Sequence, residues 1–120
     1  MAKIQDKPYN VYKMEATLAY TDTVAKLLFE LPKDAKITSI EIYTASTAAG
    51  GTADIGTLAD DDYFVAAVDV SAVGTARCNL LVSDWFTAPT DIYGLQLGAI
   101  AGGPFTVHLE YISRKSRKIL

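Results

Sequence analysis

The clearest signal in the chain is alternation. In residues 105–112, Phe105, Val107, Leu109 and Tyr111 fall on one side, and Thr106, His108 and Glu110 on the other. A period of two marks a strand with one buried face. Residues 36–44 read the same way, with Thr38, Ile40 and Ile42 on one side and Ile37, Ser39, Glu41 and Tyr43 on the other. Residues 11–19, 52–57 and 78–82 predict shorter strands. Residues 23–31 have helical spacing at Val24, Leu27, Leu28 and Leu31. The turn signal Leu31-Pro32-Lys33-Asp34-Ala35 and the nearby β-branched and aromatic residues favour a strand there. Residues 63–70 fit a strand or a short helix.

Glycine and proline punctuate these segments at 48–51, 73–75 and 101–104. The last of these, Ala101-Gly102-Gly103-Pro104, predicts a hairpin pairing residues 92–100 with 105–112. About eight short antiparallel strands between regular turns predict an all-β domain, a jelly-roll-like β-sandwich. Residues 11–113 are expected to form this domain. Residues 1–10 read as an N-terminal arm and 114–120 as a C-terminal tail.

Composition agrees. The chain has 120 residues, 50% hydrophobic and 21% charged, which suits one domain with a real core. A lone cysteine, Cys78, offers no internal disulfide, and with a lone histidine, His108, it offers no Cys/His zinc set within one chain. The N-terminus has no apolar signal-like run. The longest apolar stretch, 92–107, is interrupted by Gln96, four glycines and Pro104 and is too short to span a bilayer. No membrane partner is expected.

Charge is uneven. Residues 1–113 carry 7 basic and 14 acidic groups, net −7, whereas Arg114, Lys115, Arg117 and Lys118 give the tail +4. An acidic body argues against nucleic-acid binding, which needs a basic face. The basic tail is a candidate docking strap. Trp85 and Phe86 are candidate partner contacts, since aromatics anchor interfaces.

Catalytic equipment is missing. No Gly-x-Ser-x-Gly elbow or phosphate-binding glycine loop occurs. Cys78 reads as a core residue and His108 as a solvent-facing one, not as a thiolate–imidazole pair. Asp60, Asp61 and Asp62 form an acidic loop without the alternation of a calcium loop. No catalytic residue, cofactor or metal ligand is assigned, and the protein is not expected to be an enzyme.

Framework motifs carry a resemblance. Residues 31–40 fit L-P-x-x-A-x-I-x-x-I, followed by Gly50-Gly51, Asp54-Ile55-Gly56, Asp60-Asp61-Asp62-Tyr63-Phe64, and Val68-Asp69-Val70-Ser71-Ala72-Val73-Gly74. Residues 102–112 then give a closing Gly-Gly strand ending Glu110-Tyr111-Ile112. Over residues 23–112 the chain resembles small bacteriophage virion proteins. The resemblance implies a jelly-roll-like capsid decoration (cement) protein, or a similar minor head or tail component. Its partners would be the major capsid protein and further copies of itself, as a homotrimer. It would be made in the bacterial host cytoplasm and sit on the capsid surface. The shared positions are framework residues, so no functional residue is carried over. The competing expectation is a carbohydrate- or host-receptor-binding β-sandwich of a fibre or tail.

Overall fold

A computed structural model describes residues 10–46, 51–98, 102 and 104–114. They form eight strands: β1 (Asn10–Leu18), β2 (Lys26–Leu31), β3 (Ala35–Thr44), β4 (Thr52–Gly56), β5 (Val65–Asp69), β6 (Gly74–Arg77), β7 (Thr90–Leu97) and β8 (Phe105–Ser113). Two antiparallel sheets result, ordered β1-β8-β3-β6 and β2-β7-β4-β5. The first strand pairs with the eighth, the second with the seventh, the third with the sixth and the fourth with the fifth. That nesting is one long hairpin rolled into two layers, the jelly roll expected from the sequence. Among the described residues no helix is long and apolar enough to cross a membrane.

The layers meet over one apolar core. Phe105, Val107 and Leu109 of β8, Ile40 and Ile42 of β3, Phe29 and Leu31 of β2, Ile55 of β4 and Ile92 of β7 are all buried in it. Among the described residues every buried side-chain polar atom has a hydrogen-bond partner. Thr44 donates to the Val70 carbonyl at 3.1 Å, and the buried Gln96 amide donates to the Tyr20 carbonyl. Such pairing offsets the desolvation cost of burying polar groups.

Four expectations change. The predicted 92–100/105–112 hairpin does not form, because β7 and β8 lie in opposite sheets. Each carries its own buried row, Ile92, Gly94 and Gln96 against Phe105, Val107 and Leu109. Rows of that kind bury more apolar surface face to face than side by side. On β3, Ile37 does not lie opposite to Ile40 and Ile42. A register shift between Ile37 and Ser39 returns Ile37 to the buried side with them. One extra residue in a strand reverses the faces that follow it. The 73–75 turn continues into β6, which pairs with β3, and residues 78–82 form no strand. Cys78 still donates its N–H to the Ile40 carbonyl at 2.9 Å, so the backbone extends β6 by one contact. Finally, the 23–31 strand begins only at Lys26, and 63–70 resolves as β5, a strand over Val65–Asp69.

Candidate interaction surfaces

Three candidate contact residues converge at one end of the sandwich. The Lys33–Asp34 turn between β2 and β3 places Asp34 in the left-handed region, φ 68°, which Asp tolerates better than most residues. In that conformation Asp34 donates its N–H to the Phe86 carbonyl at 2.8 Å and its carbonyl accepts the Arg114 N–H at 2.9 Å. Phe86 in turn donates to the Ala35 carbonyl at 2.8 Å. The turn, the 85–86 segment and the exit of β8 are thus tied through main-chain bonds.

Side chains complete the clasp. The Arg114 guanidinium lies 4.4 Å from the Trp85 ring centre, and Lys36 Nζ lies 5.6 Å from it. Arg114 also reaches the Asp34 carboxylate at 3.8 Å. Cations over a solvent-accessible indole contribute about 0.5–1 kcal/mol, so the clasp orients the chain at Arg114 more than it stabilises the fold. Trp85 and Phe86 are both half-buried. Phe86 packs edge-on against Phe64 at 6.0 Å and belongs with the core. The predicted residues Lys115, Arg117 and Lys118, and the arm over 1–9, lie outside the described residues.

The outer face of the β1-β8-β3-β6 sheet carries an ionic row that spacing alone did not reveal. Glu15 of β1 and Glu41 of β3 flank His108 of β8 in direct register, and Arg77 of β6 lies opposite Glu41. Arg77 Nη2 meets Glu41 Oε2 at 3.3 Å. Lys13 and Glu110 form the next row, and Thr38 donates to Glu110 Oε1 at 2.9 Å. The charged residues of the two rows line a shallow depression of about 620 Å³. Alternation in residues 11–19, 36–44 and 105–112 places Lys13, Glu15, Glu41, His108 and Glu110 outward; their alignment with one another and with Arg77 depends on strand register, which no sequence period encodes.

The remaining candidates behave differently. Cys78 is buried, and burial together with the nearby Glu41 carboxylate pushes its thiol up to about 11. It is therefore protonated at neutral pH, not a thiolate nucleophile. His108 stands exposed on the outer face. The carboxylates of Asp60, Asp61 and Asp62 lie within 4.8 Å of one another, all exposed. The Asp60 carboxyl is held above the usual range, chiefly by its hydrogen bond with Asp62. Gly56 lets this loop fold back on β4, since a Cβ there would sit 2.2 Å from the Asp60 carbonyl oxygen.

Chains of bacteriophage capsids share this fold. A chain of the cyanophage Pam1 capsid asymmetric unit superposes with a TM-score of 0.71 at 16% identity, covering 94% of this chain and 91% of that one. A chain from the acidic stable capsid structure of Helicobacter pylori bacteriophage KHP30 gives 0.70 at 13% identity, covering 92% and 93%. A chain from the capsid of Ralstonia phage GP4 gives 0.60 at 13%, covering 98% and 92%. No family model matches the sequence, and no curated protein matches it either. At these identities the likeness is one of architecture.

Proposed function

We propose that this chain is a bacteriophage virion structural protein, a capsid decoration (cement) protein that binds the assembled head. The observation that carries the reading is the match, over more than nine-tenths of both partners, to chains of three phage capsids. A protein bound only to the assembled shell stabilises it by mass action. Many copies around symmetry axes turn weak contacts into a firm lattice. In this reading the chain acts as a homotrimer on the outer surface, against the major capsid protein. The clasp at Trp85 and Arg114 roots the basic tail, and Lys115, Arg117 and Lys118 reach acidic surface on a neighbour.

Imaging of purified particles with mass-spectrometric copy counting tests the proposal. Hundreds of copies on the head surface support it. A dozen or fewer copies at a vertex or tail overturn it in favour of a fibre or tail component. Removing residues 115–120 while keeping Arg114 should weaken shell binding in a salt-dependent way and leave the fold intact. Equal decoration by the truncated chain at low and high salt would remove the tail from the mechanism.

A further inference from the structure

Each sheet ends in two edge strands, and unpaired edges invite another strand unless they are blunted. Three of the four are blunted. β6 has four residues. β2 shifts register between Leu27 and Phe29, and β5 pairs irregularly with β4 and carries Ala67 at φ 49°. β1 lacks these interruptions: nine residues run in unbroken register with β8, without proline or glycine, and its charges are one of each sign, Lys13 and Glu15. Outside the ladder, among the described residues, Lys26 Nζ meets the Thr17 carbonyl at 2.9 Å, near one end of the strand.

We propose that β1 is a pairing edge for β1 of a second copy, antiparallel about a twofold axis at Met14. Residues directly opposite in an antiparallel pair share a face, so outward residues must meet outward residues. On β1 those are Val11, Lys13, Glu15 and Thr17, partners of the outward residues of β8. Met14 is the midpoint of Asn10–Leu18. Centring the twofold there overlaps all nine residues and sets Lys13 opposite Glu15 of the second copy, twice. Sliding the register by one allowed step sets Lys13 against Lys13, or Glu15 against Glu15. The charges therefore favour one register and oppose its neighbours. Tyr12, Met14 and Ala16, half-buried on the inward side, gain cover from Ala16, Met14 and Tyr12 of the other copy. The two four-stranded sheets become one of eight. This pairing does not depend on the virion role and adds to any threefold assembly by linking trimers.

Sedimentation of the purified full chain over a concentration series tests it. The wild type should show a concentration-dependent doubling of mass. Lys13→Glu and Glu15→Lys should each weaken the doubling roughly tenfold, because each turns two attractions into repulsions. The double exchange, K13E with E15K, should restore it. Within one chain Lys13 faces Glu110 and Glu15 faces His108. The double exchange leaves both of those contacts altered, so rescue reports the contact between copies and not the fold. Single variants that associate like the wild type, or a double variant that associates no better than the singles, overturn the proposal. So does a wild type that stays undoubled, or doubles only when residues 1–9 are removed, since the edge then has another occupant.

Discussion

The two sheets solve the same packing problem with different surfaces. The β1-β8-β3-β6 sheet turns an ionic face outward: Lys13, Glu15, Glu41, Arg77, His108 and Glu110. The β2-β7-β4-β5 sheet turns out Leu27, Tyr93, Leu95 and Leu97 beside the acids Glu30, Asp54 and Asp91, with Leu27 43% exposed and Leu97 48%. Leu95 is only 5% exposed although it lies outside the interior cluster. Both inner faces are mainly apolar, so the drive to fold comes chiefly from inside. The faces differ in what they offer to solvent or to a neighbour: a charge-matched surface on one side and a more apolar one on the other.

The largest effect should separate inside from outside on these sheets. Leu109→Ala, in the core row of β8, should cost about 3–4 kcal/mol in chemical denaturation. Leu95→Ala, on the outer face of β7, should cost about half that, because water and neighbours close over the gap. Equal costs would mean that Leu95 belongs to the core and that the second sheet has no distinct outer face.

The glycines of the second sheet sharpen the contrast. Gly94 faces the core, where a Cβ would meet Leu28 Cδ1 at 2.6 Å and the ends of Ile55 and Leu18 at 3.2 and 3.3 Å. Those tips can turn, so Gly94→Ala should cost about 1–2 kcal/mol. Gly56→Ala meets backbone instead and must push the 57–62 loop away. It should cost about 3 kcal/mol and raise the protease sensitivity of that loop. A smaller cost for Gly56→Ala than for Gly94→Ala would contradict the loop's place over β4.

How much of this was legible beforehand follows from which forces act locally. Alternation located β8 and β3, since one buried face imposes period two on the residues themselves. It failed at Ile37, where the register shift resets the period without leaving a glycine or proline to mark it. The Gly102–Pro104 segment gave the same turn signal for a hairpin as for a crossing between sheets, because turn chemistry does not say which layer receives the next strand. Gly74–Arg77 lacks an apolar row and became a strand only through pairing with β3. The sequence offers Trp85-Phe86 and the basic cluster starting at Arg114 as separate candidates; their meeting at Asp34 comes from topology. The ionic row is a product of register in the same sense.

Cys78 lies beneath the ionic face, and its titration reads that layer from inside. Its thiol ionises near 11 when folded, against an ordinary 9.0. Below pH 9 both states keep the proton and the contribution to stability is complete. Between 9 and 11 the unfolded chain gives up its proton and the folded chain does not, so stability falls as pH rises, by about 2 kcal/mol. Cys78→Ala should flatten that part of the curve in denaturation at pH 8, 9, 10 and 11. An unchanged slope would mean that water reaches the sulfur.

The smallest effect concerns the ionic row itself. Arg77 and Glu41 meet at 3.3 Å with the arginine side chain 78% exposed, and pairs so exposed contribute about 0.5 kcal/mol or less. Glu41→Gln should therefore leave the denaturation midpoint almost unmoved at 25 °C, and added salt should erase the remainder. If the row exists for contacts outside the chain, then under the proposed decoration role the same substitution should still alter binding to purified capsids. A large loss of stability with unchanged binding would reverse that assignment and make the outer ionic face a structural element of the fold.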